Sequence, residues 1–322
     1  MAEAILNQVH VSNLFDLHGV VAVVTGGGTG IGLMITTTLV SNGATVYIIG
    51  PQQTDLDRIA KVYNDAAKKT GKDGRIYGIE GDIRYKDEAI RLVDEISKRS
   101  PYVTVLFNNA GIADGIFTRP NELTAKAFQE AYFNDLRPES FDNVMRTNAI
   151  GPYWLTFAFL PLLEKWKEAG YTTTGGHKFV PQVIMTSSMN GWTKDNATAG
   201  KCFPYQFSKS AIGHATSTIA HELLPLGIRV NGIAPGLFVT EMTAPGTANE
   251  LGISTIPKDT DVGLEVPCAQ PKNHRGNGYQ FVRSGSFTDM GAVVLCLVSN
   301  WFMNGETVLI DGGTMLVHPN SF

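Results

Sequence analysis

Continuous apolar runs alternate along the chain with stretches in which apolar positions recur every three or four residues. Val20 to Thr25 is a mainly β-branched run ending in glycines, the pattern of a strand buried on both faces in a parallel sheet. Thr45 to Ile49, Val103 to Phe107, Val180 to Thr186, Ile228 to Ala234 and Thr307 to Ile310 repeat it, and Arg75 to Glu80 is a weaker example. Helical spacing fills the intervals Asp55 to Lys69, Lys86 to Arg99 and Phe141 to Ala169. A further helix is expected from about Phe207 to Leu224, its core-facing stripe made of Ala211, Ala215, Ile219 and Leu223, with Pro225 and Gly227 ending it. This alternation predicts repeated βαβ units, hence an α/β fold with a doubly wound parallel sheet of the Rossmann type, three layers αβα.

No linker rich in Pro, Gly or Ser divides the chain, so one domain over residues 18–322 is expected after an extension at 1–17. Two stretches read as insertions on that scaffold, Ala113 to Arg137 and the polar Thr243 to Gly285. Segments as long as the second usually act as lids or binding loops.

Composition narrows the function classes. An apolar share of 43% with 17% charged residues suits a soluble globular protein. The formal charge of -4 gives no general attraction to nucleic acid or anionic membranes, so neither is expected as a partner. The longest apolar stretch, Gly151 to Leu163, contains Pro152 and Pro161 and falls short of the roughly 20 residues a bilayer requires. It reads as a buried helix. Glu3, Asn7, Gln8 and His10 interrupt any signal-peptide core. Cys202, Cys268 and Cys296 are odd in number and widely spaced, with no companion histidines at ligand spacing. Reduced thiols, no metal and a cytoplasmic setting are the expectation.

The chemistry begins at Thr25-Gly26-Gly27-Gly28-Thr29-Gly30-Ile31-Gly32, between the first strand and a helix that continues through Met34, Ile35 and Leu39. Without side chains the backbone can approach a pyrophosphate, and the helix N-terminus offers free N–H groups and partial positive charge. About 20 positions on, where an acidic residue would accept bonds from a ribose and repel a 2′-phosphate, the chain has Gly50 and Pro51. The usual barrier to NADP is missing, while no Arg or Lys stands at Thr29 or Pro51 to hold the phosphate. NADP(H) is expected ahead of NAD(H).

Tyr205 and Lys209 are four residues apart at a helix start, so they share a face one turn apart. A neighbouring ammonium is expected to lower the phenol's pKa and fit it for acid/base work. Ser188, just past a buried strand, can hold a carbonyl oxygen beside that phenol. Asn148 is unfavourable in mid-helix and reads either as part of this group or as a structural kink. Trp192, Phe203 and Phe238 flank these motifs as an apolar wall or as ordinary core, Cys202 as a pocket-lining or a loop thiol, and His214 and His221 as surface or interface residues.

In this order the motifs resemble those of the classical short-chain dehydrogenase/reductase (SDR) family, from about His18 to Val317. The resemblance implies a cofactor turn at Gly26, Gly28, Thr29, Gly30, Ile31 and Gly32, and an aspartate, Asp82 with Ile83, that meets the adenine ring. It implies an Asn108-Asn109-Ala110-Gly111 motif over the adenosine side and a nicotinamide segment at Pro235, Gly236, Val239 and Thr240. Asn148, Ser188, Tyr205 and Lys209 match the catalytic tetrad, Gly191 setting the register of the serine pair, with Tyr205 and Lys209 also meeting the cofactor. Asp311-Gly312-Gly313 matches the family's ending. Sixteen residues separate Ser188 from Tyr205, more than the family usually has. The implied activity is hydride transfer between NAD(P) and a small-molecule carbonyl or alcohol, in a homodimer or homotetramer. An isomerase or cyclase on the same fold, or a silent nucleotide-binding scaffold, remains an alternative.

Overall fold

The computed structural model describes residues 1–169, 179–195, 198, 201–256, 266–267 and 284–321. Seven strands, β1 (Val21–Thr25), β2 (Thr45–Gly50), β3 (Arg75–Glu80), β4 (Val105–Asn108), β5 (Gln182–Thr186), β6 (Arg229–Pro235) and β7 (Thr307–Ile310), form one sheet in the order β3-β2-β1-β4-β5-β6-β7. Every pairing is parallel. The order reverses between β1 and β4, which opens a crevice at the carboxyl ends of the strands, where open α/β sheets bind ligands.

Helices cover both faces because successive strand residues point to opposite sides. Ala22, Val24, Val46, Ile48 and Phe107 pack under α3 (Gly30–Ser41), α4 (Gln53–Lys69) and α10 (Phe287–Ser299). Val21, Val23, Tyr47, Leu106 and Val183 pack under α5 (Lys86–Ser97), α8 (Gly151–Ala169) and α9 (Phe203–Glu222). The three layers are those expected. Two short helices, α1 (Ala2–Gln8) and α2 (Val11–Leu14), carry no buried residue, and the first core side chain is Leu17.

Three expectations need correction. The pattern from Phe141 to Ala169 is two helices, α7 (Pro138–Met145) and α8, joined by a π-helical turn at Arg146–Ile150. α9 starts at Phe203, ahead of Phe207, because Pro204 occupies the first turn, where its missing N–H costs nothing. Its buried stripe is Ile212, Thr216, Ile219 and Leu223; Ala211 is exposed and Ala215 half-buried. Burial of Ser208 and Lys209 towards the crevice fixes the helix phase and turns Ala211 outward.

The Ala113 to Arg137 insertion holds α6 (Ala125–Gln129) and a second π turn at Glu130–Asn134. Residues 257–265 and 268–283, most of the second expected insertion, lie outside the described residues, as does Cys268. α10 opens with a capping box between Ser286 and Asp289. Among the described residues no helix is long and apolar enough to cross a membrane.

Candidate active site

The crevice is a cleft of about 760 Å³, within the size range of small-molecule sites. Its floor at one end is the turn from β1 into α3. Gly26 and Gly30 have positive φ, +64° and +50°, which L side chains rarely adopt. A Cβ on Gly32 would lie 1.9 Å from the Gly26 carbonyl oxygen, so only glycine lets helix and turn meet. Gly28 is less constrained, its nearest neighbour being the Leu56 side chain at 3.5 Å, and it does not line the cleft. Thr29 begins α3 in an extended conformation with no side-chain cap, and the first-turn N–H groups have no intrahelical acceptors. Such a cradle suits a pyrophosphate, and a dinucleotide fits these residues.

Thr25 ties this turn to the next loop: its hydroxyl accepts from the N–H groups of Asn109 and Ala110, at 2.9 and 3.0 Å. The Asn109 side chain donates to the Thr25 carbonyl at 3.0 Å. Asn109, Ala110 and Gly111 line the cleft. Asn108 is buried away from it, donating to Thr156 at 3.1 Å.

Asp82 and Ile83 line the far end, together with Gly50 and Pro51. Asp82 is not a free acceptor. The Arg84 guanidinium grips both its oxygens, at 2.9 and 2.5 Å, and holds the carboxyl below its ordinary pKa. Arg84 also donates to the Asn143 side chain on α7 at 2.7 Å. Sequence reasoning missed Arg84 and Asn143, although an arginine two residues after an aspartate in a turn is a usable local signal.

At the other end stand Ser188, Tyr205 and Lys209. The serine pair divides its labour. Ser187 donates to the Lys209 carbonyl at 2.8 Å and so fastens β5 to α9. Ser188 accepts from the Asn190 N–H at 3.2 Å, donates to the Pro235 carbonyl at 3.4 Å, and lines the cleft together with Tyr205. Gly191 matters for the register because a Cβ there would stand 2.8 Å from the Lys209 carbonyl oxygen.

Lys209 is 3% exposed; its ammonium donates to the Thr186 carbonyl at 2.8 Å and lies 5.6 Å from the centre of the Tyr205 ring. Burial lowers its pKa to about 8. The expected acidification of Tyr205 is not what the geometry gives. Burial pushes the phenol above its ordinary value, the Ser188 hydrogen bond pulls part of that back, and Cys202 adds to the rise. The reason is position: the ammonium faces the ring and a carbonyl oxygen.

Asn148 occupies the π turn, so the kink reading holds for its backbone. Its side chain joins the site as a brace, pairing with both the N–H and the carbonyl of Ile112 at 2.9 Å and donating to Ser208 at 3.0 Å. It is buried behind the wall, and Gly111 fits between it and Lys209. Pro235, Gly236 and Thr240 line the cleft, with Thr240 packed against Gly30; Val239 is half-buried outside the lining. A Cβ on Gly236 would sit 2.6 Å from the Asp311 Cα, which explains the glycine after β6.

Of the flanking aromatics only Phe238 lines the cleft. Phe203 stacks on Phe117, and Cys202 is buried with its thiol donating to the Asp114 carbonyl at 3.0 Å. His214 and His221 are exposed. Residues 318–321 strap the segment after Ser188: the Lys194 N–H donates to the Pro319 carbonyl at 2.7 Å, and the Ser321 N–H to that of Trp192 at 2.9 Å.

A family model described as short chain dehydrogenase matches residues 20–251. "Short-chain dehydrogenase/reductase PhomF" of Diaporthe leptostromiformis is 32% identical over 327 residues, covering 100% of both chains. "Short-chain dehydrogenase/reductase VdtF" of Byssochlamys spectabilis is 31% identical over 332 residues, covering 97% of each. Among solved structures, the Pseudomonas aeruginosa RhlG/NADP active-site complex has a TM-score of 0.66 at 24% identity, covering 94% of this chain and 98% of that one, a likeness of fold.

Proposed function

This chain belongs to the short-chain dehydrogenase/reductase family, and we propose that it reduces a ketone or aldehyde, or oxidises the matching alcohol, with Tyr205 as general acid/base. Nicotinamide-dinucleotide oxidoreduction at CH–OH or C=O groups is the general activity of such a chain. The observation that carries the finer reading is that Tyr205, Ser188 and Lys209 line one cleft with the uncapped glycine turn.

The residues divide the work. Gly26, Thr29, Gly30, Ile31 and Gly32 would hold the pyrophosphate through backbone N–H groups, with Gly28 completing the turn behind them. Asp82, Ile83, Asn109, Ala110 and Gly111 would border the adenosine, and Pro235, Gly236 and Thr240 the nicotinamide, with Val239 behind them. The bound cofactor supplies a hydride from C4 of its ring. Ser188 orients the carbonyl oxygen, and Tyr205 gives that oxygen its proton. A phenol kept protonated by burial is ready as an acid, which favours reduction at neutral pH. Lys209 would hold the nicotinamide ribose while its bond to Thr186 fixes its place, and Asn148 braces the Ile112 loop.

NADP is preferred over NAD in this reading, because the end of β2 offers Gly50 and Pro51 where a carboxylate would repel a 2′-phosphate. We take residues 18–322 as one domain and pair copies through α8 and α9. Supporting the pairing is an apolar groove of about 390 Å³ between those helices, bordered by Ile150, Tyr153, Trp154, Ala211 and Ala215.

The test is incubation with NADPH and a panel of ketones, followed at the nicotinamide absorbance. Turnover is expected, and Tyr205→Phe should lower kcat by about 10²–10⁴-fold with cofactor affinity nearly unchanged. Absence of any absorbance change, or a Tyr205→Phe variant within a few-fold of wild type, would overturn the assignment.

A further inference from the structure

The catalytic end of the cleft opens between two segments of chain. Ile112, Ala113 and Ile116 follow β4 on one side; Met242 and Pro245 follow β6 on the other. All five are apolar. Ile116 is 70% exposed and Met242 42% exposed, although both line the cleft. Large apolar side chains that stand open at the mouth of a site mark a surface that a ligand covers.

The Ile116 wall is held in place from behind. Phe117 stacks on Phe203 of α9 with ring centroids 4.8 Å apart, and Tyr132 packs edge-on against both rings, at 4.7 and 5.6 Å. The Phe117 N–H also donates to the Lys201 carbonyl at 3.0 Å. Aromatic packing of this kind fixes geometry as well as burying area. Ile116 is thereby anchored beside the first turn of α9, the turn that carries Tyr205.

Charge points the same way. Among the described residues, every charged side chain lining the cleft is engaged. Asp82 pairs with Arg84, Glu241 accepts from the Gly246 N–H and the Ser254 hydroxyl, and Lys209 donates to Thr186. A carboxylate or phosphate on the substrate would leave water for a wall that, among the described residues, has no free cation to receive it, and that desolvation is costly.

We propose that the substrate is an uncharged ketone, or its alcohol, on a bulky apolar body that lies between the Ile116 and Met242 walls with its reacting carbon at Tyr205. This rests on the oxidoreductase reading above. In the reducing direction the carbonyl carbon gains a hydride from reduced nicotinamide, which is thereby oxidised, and the carbonyl oxygen gains the Tyr205 proton.

The experiment compares kcat/KM of the full chain with NADPH for three ketones: 2-acetylnaphthalene, 6-acetyl-2-naphthoate and butanone. The uncharged bicyclic ketone is expected to exceed each of the others at least tenfold, and Ile116→Lys to shift the naphthoate-to-naphthalene ratio at least tenfold towards the carboxylate. Equal efficiencies, or a preference for butanone or the carboxylate, overturn the substrate class while any turnover leaves the oxidoreductase reading standing. If none of the three is reduced, that reading falls, and saturation-transfer NMR on the same protein decides the pocket by itself. Transfer to 2-acetylnaphthalene that is lost in Ile116→Asp supports it; equal transfer to all three ketones, or none, overturns it.

Discussion

Replacing Lys209 by Met should change how stability responds to pH, and the size of the change follows from burial. The ammonium has a pKa of about 8 in the folded protein against 10.5 for a free lysine, because removal from water disfavours its charge. Between those values the unfolded chain binds more protons than the folded one, so the stability of the wild type rises with pH across this window. Below about pH 8 the group is charged in both states and the full cost of burying it is present. At about 1.4 kcal/mol per pH unit the window corresponds to about 3 kcal/mol, most of it gained by pH 10. Met carries no such term. At pH 7 the variant also loses the charge-assisted bond to Thr186, 2.8 Å long, worth about 1.5–3 kcal/mol. That loss nearly offsets removal of the buried charge, so the two proteins should start close in stability. Urea unfolding without added cofactor, at pH 7 and pH 10, reads the difference: the wild type should gain about 2.5 kcal/mol relative to Lys209→Met. Parallel pH dependences would mean that Lys209 keeps an ordinary pKa, and the argument from burial would fail.

Three further outcomes follow from the same geometry. Gly50→Asp requires only the Leu56 side chain, 3.2 Å from the new Cβ, to give way by a few tenths of an ångström, and should move the NADP/NAD preference towards NAD; an unchanged ratio of kcat/KM values refutes the placement of the 2′-phosphate there. Gly32→Ala drives a methyl to 1.9 Å from the Gly26 oxygen and should destabilise by about 1–3 kcal/mol or more and weaken dinucleotide binding, whereas Gly28→Ala should be tolerated; thermal melts and cofactor titration compare them. Removing residues 318–322 releases Trp192 and Lys194 from their strap, and the expected result is a kcat reduced at least severalfold with cofactor affinity unchanged, measured by steady-state kinetics and fluorescence titration.

Much of the layout could be read from the chain because parallel strands, buried on both faces, leave uninterrupted apolar runs. Val20 to Thr25 located β1 to within a residue, and Thr307–Ile310 matched β7. The glycine turn was equally legible, since Gly26 and Gly30 need φ values that other residues avoid. What escaped was phase and partnership. Apolar spacing does not encode an extra residue in a helical turn, so the π turn at Arg146–Ile150 read as continuous helix. The stripe on α9 was misplaced because two polar residues, Ser208 and Lys209, set which side turns inward. The pKa of Tyr205 went the other way because spacing put Lys209 on the right face and could not say whether its ammonium met the hydroxyl or the ring.

The π turn lets this stretch carry one residue more than a regular helix would, in a way its composition conceals. Each residue in a regular α-helix advances the chain by about 100°, and one surplus residue in a single turn offsets everything beyond it by that angle. Upstream, α7 presents Asn143 to the Arg84 clamp; downstream, α8 sends Leu155 and Phe159 into the sheet. Closing that turn into an ordinary helix with every residue kept would swing those two anchors out of mutual alignment by that angle, whereas losing one residue as it closed would restore them. With its full count of residues, the locally more comfortable backbone would belong to a protein whose two cleft ends no longer agree on a common frame.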